Sequence, residues 1–218
     1  MATDKVYNLI ILDESGSMDS IKNATIGGFN ELVQTIKGIE KQYPEQAHFI
    51  SFVTFNGFGI KTHLDKQAVI NLSEIDGKSY QPNSMTPLYD AIGLSVLKLR
   101  VDLAGQENVS VLVTILTDGE ENASKEFTGA QIKSIIDEQK ALGWTFTYIG
   151  ANQDVEKVAA TISITNTMCF NANETDVKEM FAKEKSARFH YSEKIRNKQD
   201  LREDFYAEND KLNKPEKA

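Results

Sequence analysis

The stretch LIILDESGSMDS, residues 9–20, decides the fold class of this chain. It begins as an uninterrupted apolar run, which is typical of a strand buried on both faces of a parallel sheet. It then passes directly into Asp13, Ser15 and Ser17, at every second position. An extended loop with this spacing can turn all three side chains toward one point, and Gly16 lets the loop bend tightly. The stretch therefore predicts a buried strand that ends in a cluster of oxygen atoms.

The rest of the chain alternates between short apolar runs and longer segments of helical period, which indicates an α/β fold with a doubly wound, Rossmann-like sheet and helices on both faces. Asn56-Gly57 predicts a hairpin turn between two of the strands. Pro87 is expected at the first position of a helix that starts at Thr86-Pro87. The predicted strands are 6–13, 48–56, 59–65, 108–119, 144–151 and 166–172, and the other predicted helices are 20–41, 127–142, 153–160 and 174–190.

Two further oxygen-bearing side chains belong beside the first cluster. Thr86 stands at the start of a predicted helix, and Asp118 follows a strongly apolar strand. Because ligands of open α/β sheets bind beyond the carboxyl ends of the strands, these residues are candidates for the same site. Carboxylate and hydroxyl oxygens suit hard cations such as Mg²⁺, Mn²⁺ or Ca²⁺. Taken singly, Thr86 is more readily read as a helix cap and Asp118 as a turn residue, so it is the order and context of the five residues together that predict a site.

The composition excludes several classes of protein. The formal net charge of −8 argues against a nucleic-acid-binding protein, which would be expected to show a basic face. The single cysteine, Cys169, rules out an internal disulfide and a thiolate zinc site, and we expect it to be a small buried residue. The beginning of the chain, MATDKVYNLI, lacks the pattern of a signal peptide, and no apolar run approaches the roughly 20 residues that span a membrane. We therefore expect a cytoplasmic protein.

Asp-x-Ser-x-Ser after the first strand, Thr86 in MTPLYDAI and Asp118 in LTDGEEN together resemble the von Willebrand factor A domain, over roughly residues 5–190. The resemblance implies a mostly parallel sheet with one antiparallel edge strand, and a metal-ion-dependent adhesion site. It also implies that Ser15, Ser17 and, in the ligand-engaged state, Thr86 bind the metal directly, whereas Asp13 and Asp118 act largely through water. Ser84-Met85 precedes Thr86 where many bacterial members have glycines.

This donor set predicts a binding function. The direct ligands would be neutral hydroxyls, so the charge of the ion would be poorly neutralised, and an Asp or Glu side chain of a partner protein would complete its coordination. Two alternatives stay open. The metal could assist a hydrolase or phosphotransferase, although no phosphate loop and no Gly-x-Ser-x-Gly elbow is present. The chain could also be a scaffold that uses another face.

The domain organisation is predicted to be one von Willebrand factor A–like domain over 1–190 and a charged extension over 191–218. Apolar residues are sparse beyond His190, so we expect that part to be a solvated helix or a frayed tail. The style of the motif flanks suggests a bacterial or phage-infected cell. The resemblance further implies partners such as an ATPase or a component of stress and defence systems.

Overall fold

The computed structural model describes residues 4–151, 155–171, 173–201 and 205–206. Within them, β-strands and α-helices alternate as the sequence predicts, and a short 3-10 helix, Gly16–Ile21, leads into the first α-helix. The strands are β1 Asp4–Asp13, β2 Gln46–Asn56, β3 Gly59–Ala68, β4 Val109–Thr117, β5 Thr145–Ala151 and β6 Asn166–Phe170. The α-helices are α1 Lys22–Gln42, α2 Leu88–Leu103, α3 Gly129–Ala141, α4 Val155–Thr161 and α5 Glu174–Arg196.

The six strands form one sheet in the order β3-β2-β1-β4-β5-β6. All neighbouring strands pair in parallel except β2 and β3, which form an antiparallel hairpin closed after Asn56. This confirms the predicted fold class, including the antiparallel edge strand. β1 lies between β2 and β4, so Asp13 at its carboxyl end lies near the middle of one rim of the sheet.

The two faces of the sheet are covered by different helices, which explains the apolar run Leu9–Leu12 in β1. Leu9 and Ile11 pack on the side of α2, α3 and α4, whereas Ile10 and Leu12 pack on the side of α1. Successive side chains of a strand point to opposite faces, so a strand covered on both faces requires apolar residues at nearly every position.

Local signals explain the boundaries of α3 and the start of α5. Thr128 and Gln131 form a reciprocal capping box at the start of α3, and Gly143, with φ of +89°, follows its end. The Asn173 side chain accepts a hydrogen bond from the Asp176 N–H at the start of α5. One expectation is wrong in detail: α2 begins at Leu88, so Pro87 precedes the helix instead of occupying its first position.

Buried hydrogen bonds join helix α5 to the sheet. The Arg188 guanidinium donates from Nε to Glu184 Oε1 at 2.8 Å, from Nη1 to Asn8 Oδ1 at 3.0 Å, and from Nη2 to Thr114 Oγ1 at 2.7 Å. The Tyr206 hydroxyl donates to the other Glu184 oxygen at 2.7 Å. The charges of this network are therefore paired and hydrogen-bonded, as burial requires.

The chain beyond His190 differs from the expected solvated segment. Helix α5 continues to Arg196, and Tyr191, Ile195 and Phe205 are buried against Val6 and Leu112 of the sheet. The division of the chain at residue 190 stays a prediction, and residues 207–218 lie outside the described part of the chain.

Cys169 also departs from its prediction, because its side chain in β6 is exposed. Among the residues that the structure describes, no helix is long and apolar enough to cross a membrane.

Candidate metal centre

The first cluster lies where β1 ends. Asp13 is the last residue of β1, and Ser15 takes the cap position of the 3-10 helix that follows, with extended backbone angles. The N–H of Gly16 donates to the Ser84 carbonyl oxygen at 2.9 Å, which ties this turn to the loop that carries Thr86. Two loops far apart in sequence are thereby joined at the rim of the sheet.

Asp13 is completely buried, and both of its carboxylate oxygens are engaged. Oδ1 accepts the Ser15 backbone N–H at 2.7 Å, and Oδ2 accepts the Thr117 hydroxyl at 2.6 Å. Burial raises the pKa of Asp13 to about 6 despite these hydrogen bonds. The carboxylate thus fixes the geometry of the Ser15 turn and places a desolvated negative charge beneath it.

Ser17 and Asp118 meet across the rim. The Ser17 hydroxyl donates to Asp118 Oδ1 at 2.6 Å, and Ser15 Oγ lies 3.2 Å from Ser17 Oγ. Burial also raises the pKa of Asp118, and the hydrogen bond from Ser17 opposes that shift. Asp118 therefore contacts the first cluster, which a turn residue alone would not do.

Thr86 comes from a third segment and is held by its main chain. Its N–H donates to Asn122 Oδ1 at 2.9 Å, and its carbonyl oxygen accepts the Asn122 N–H at 3.2 Å. No side chain at the cap of α2 makes a capping hydrogen bond, and Glu121 Oε2 instead accepts the Tyr89 N–H in its first turn, at 2.8 Å. The structure thus gives no support to Thr86 as a helix cap, and its hydroxyl faces the site.

The three hydroxyls converge beside Gly119. A Cβ atom placed on Gly119 would lie 3.0 Å from Thr86 Oγ1, 3.2 Å from Ser17 Oγ and 3.6 Å from Ser15 Oγ. Glycine leaves this point open, and the three oxygens surround it. The structure therefore brings together all five candidate residues, Asp13, Ser15, Ser17, Thr86 and Asp118. That they bind a metal stays a prediction.

The sequence of residues 9–184 matches the family model of the von Willebrand factor type A domain, which covers most of the chain and all five site residues. The chain belongs to this family. No curated protein sequence matches it significantly.

Three solved structures of other proteins share this fold. A von Willebrand factor type A protein from Catenulispora acidiphila has a TM-score of 0.56 at 16% identity, over 86% of this chain and 43% of its own. Proximal thread matrix protein 1 of the mussel byssus, with a zinc-occupied metal-ion-dependent adhesion site, has a TM-score of 0.55 at 13% identity, over 86% and 46%. The manganese-loaded TRAP protein of Plasmodium vivax has a TM-score of 0.53 at 15% identity, over 83% and 74%. This chain thus spans less than half of the first two proteins, and at these identities the likeness shows the fold alone.

The donor set of this von Willebrand factor A domain fits a hard divalent cation. Three hydroxyls and two carboxylates offer only oxygen, which Mg²⁺, Mn²⁺ and Ca²⁺ accept. The described residues hold no group of three or more His, Cys, Asp or Glu side chains placed to bind a metal. That result is expected of this site too, because only two of its five residues are of these types.

Several residues that support the site have no sequence signal of their own. Thr117 donates its buried hydroxyl to Asp13, and Tyr80 donates to the Asp13 carbonyl oxygen at 2.7 Å. Thr and Tyr are ordinary strand and core residues, so neither pattern nor spacing distinguishes them. Asn122 could have been suspected only from its place in LTDGEEN.

Proposed function

We propose that this chain is a metal-dependent protein-binding module. Asp13, Ser15, Ser17, Thr86 and Asp118 would hold Mg²⁺, or Mn²⁺ or Ca²⁺ in its place, and the bound ion would attract an Asp or Glu side chain of a partner protein. The observation that carries the proposal is the convergence of three hydroxyls from two loops beside Gly119, with two partly desolvated carboxylates next to them.

The protein's own residues have separate tasks in this proposal. Asp13 holds the turn that presents the Ser15 and Ser17 hydroxyls, and Asn122 holds the main chain of Thr86. When bound, the cation supplies a positive charge that hydroxyl ligands do not neutralise, so that a carboxylate becomes the favoured addition. Removing the partner's carboxylate should therefore abolish binding, whereas removing other charged side chains of the partner should not.

Two acids close to the site in sequence, Glu14 and Glu121, are already engaged in hydrogen bonds. Glu14 Oε1 accepts the Gln81 N–H at 2.6 Å. Both Glu121 oxygens accept hydrogen bonds, from the N–H groups of Tyr89, Ala123 and Ser124 and from the Ser124 hydroxyl. A carboxylate engaged in this way shapes a loop and is poorly placed to take a proton from water. These contacts weigh against Glu14 and Glu121 as the general base that a hydrolase would need.

Calorimetric titration with Mg²⁺ and Mn²⁺ after EDTA treatment, with and without acetate, tests the proposal. We expect one-to-one binding that is at least about tenfold weaker in Asp118→Ala, since outer ligands typically contribute that much to metal affinity. Asp137→Ala is the matched control, because Asp137 is half-exposed on α3 and pairs with Lys133. Absence of binding by the unchanged protein even with acetate present, or undiminished binding by Asp118→Ala, would contradict the proposal.

We also propose a cellular location and a class of partner. A cytoplasmic location in a bacterial or phage-infected cell, and an ATPase or a stress or defence component as the partner, are consistent with a small domain of this family. A pull-down in Mg²⁺ compared with EDTA, with Ser17→Ala as the negative control, would identify the partner.

A further inference from the structure

Exposed apolar side chains cluster next to the candidate metal centre. Phe58, Met85 and Leu94 are 79%, 56% and 42% exposed. They come from the β2–β3 turn, the loop before Thr86 and helix α2, yet all three line one groove of about 440 Å³. We call it the Phe58 groove and define it by Phe58, Ile60, Met85, Pro87 and Leu94. Contiguous exposed apolar surface of this kind marks interaction sites.

The Phe58 groove adjoins the candidate metal centre, because Met85 and Pro87, the two chain neighbours of Thr86, both line it. Met85 directly precedes Thr86, and a Cβ atom on Gly57 would lie only 3.0 Å from the Met85 backbone nitrogen. The hairpin turn therefore lies against the loop that presents the Thr86 hydroxyl. A ligand bound to the cation would have the groove within reach of its neighbouring atoms.

A second cavity lies next to the Phe58 groove. This cavity of about 220 Å³ lies between β3 and α2 and shares Ile60 and Leu94 with the Phe58 groove. Leu64 and Leu99 line this second cavity. Lys98 and Asp65 also line it and form an ion pair, in which Nζ and Oδ2 are 2.6 Å apart. The two cavities are therefore neighbours along α2, and the second, lined by Leu94, Lys98 and Leu99, lies farther along the helix.

The groove wall also carries charged residues, namely Asp90, Lys125 and Glu126. Asp90 accepts hydrogen bonds from the N–H groups of Lys125, Glu126 and Phe127, at 2.8 to 2.9 Å. Its charge is therefore already used to hold the loop after β4. What the groove offers to a ligand is mainly the apolar side-chain surface of Phe58, Met85 and Leu94, bordered by Lys125 and Glu126.

We propose that the partner segment carries a bulky apolar residue within two positions of its metal-binding carboxylate, and that this residue occupies the Phe58 groove. The inference rests on the proposed metal-dependent function, which supplies the carboxylate contact. The continuity of the groove with the Thr86 loop argues for a peptide segment that reaches both places at once. Burial of the apolar residue would give the partner its specificity, because a carboxylate alone is common to all acidic proteins.

A peptide series tests this inference with chemically defined probes. The parent is the capped pentapeptide Gly-Gly-Asp-Gly-Gly, and four relatives carry Leu in place of one Gly each. In Mg²⁺, followed by amide chemical-shift titration, we expect at least one relative to bind about fivefold tighter or better than the parent, as partial burial of a leucine side chain predicts. Phe58→Ser and Leu94→Ser should remove this gain and keep parent binding. Leu142→Ser is the matched control, since Leu142 is 71% exposed at the end of α3 and outside the groove.

Each other outcome decides against a specific claim. Parent binding in Mg²⁺ with no gain from any leucine would overturn the inference and leave the proposed function standing. No binding of any peptide would contradict the proposed function, and the inference with it. A leucine gain that persists in EDTA would show that groove and metal act separately. Dimerisation of the free protein that Phe58→Ser abolishes would assign the groove to a second copy.

Discussion

At the scale of single residues, Gly119 gives the sharpest test of the metal centre. We expect Gly119→Ala to lower Mg²⁺ affinity at least about tenfold, because the added methyl would lie 3.0 to 3.6 Å from the three converging hydroxyls. Gly38→Ala in α1 is the control, since a Cβ there has no atom within 4 Å. Calorimetry measures the affinity, and circular dichroism checks that both variants fold. Unchanged Mg²⁺ binding by Gly119→Ala would place the ion elsewhere.

His48 gives a pH dependence at the same scale. Burial lowers its pKa to about 4, and Arg188 adds to the shift. The imidazole is thus neutral in the fold, while the unfolded chain takes up a proton near pH 6.5. The contribution of His48 to the free energy of unfolding should be complete above about pH 6.5 and should fall by up to about 3 kcal/mol as the pH drops toward 4.

Urea unfolding of the unchanged protein and His48→Gln over this pH range measures that contribution. The difference between their free energies of unfolding should shrink as the pH falls. A difference that stays constant with pH would show that His48 is protonated in the folded protein as readily as in the unfolded chain.

The five candidate ligands could be predicted from sequence, whereas their supports could not. Asp13, Ser15 and Ser17 follow an apolar strand directly, so their place at a strand end can be read from the pattern. Thr117 and Tyr80 hold Asp13 through buried hydroxyls. Their roles depend on contacts 104 and 67 residues apart in the chain, and no local pattern encodes such contacts.

At the scale of elements, Arg188 determines how α5 is attached. We expect Arg188→Ala to lower the free energy of unfolding by about 3–5 kcal/mol, because it leaves Glu184 as an uncompensated buried charge. Lys178→Ala, on the exposed side of the same helix, should change it by less than about 0.5 kcal/mol. Chemical denaturation compares the two. Equal, small effects would mean that the network does not hold the helix.

The elements differ in how well their sequences predict them. β1 and β4 are recognisable because burial on both faces requires long apolar runs. The last part of α5, beyond His190, is not, because its two apolar residues, Tyr191 and Ile195, stand among polar and charged ones and their burial depends on contacts with the distant strands β1 and β4.

At the scale of the whole molecule, a cation at the rim should stabilise the entire fold. The centre joins loops from the ends of β1 and β4 and the start of α2, so metal binding requires the native arrangement. At a Mg²⁺ concentration 100 times the dissociation constant, the free energy of unfolding should rise by about 2.7 kcal/mol. For a chain of this size, that corresponds to about 5–10 °C in Tm.

Thermal unfolding with and without Mg²⁺ measures this effect. Ser17→Ala should lose the rise while keeping its metal-free Tm within a few degrees, because Ser17 is exposed. An equal rise in both proteins would indicate a general salt effect on a chain of net charge −8.

The central claim is that one divalent cation binds among the hydroxyls beside Gly119. Anomalous diffraction from crystals soaked in Mn²⁺ tests it most directly, since it places the ion without reference to any activity. We expect a single strong peak within about 2.5 Å of the Ser15 and Ser17 hydroxyls. A peak at another place, or none at a Mn²⁺ concentration that saturates the calorimetric signal, would contradict it.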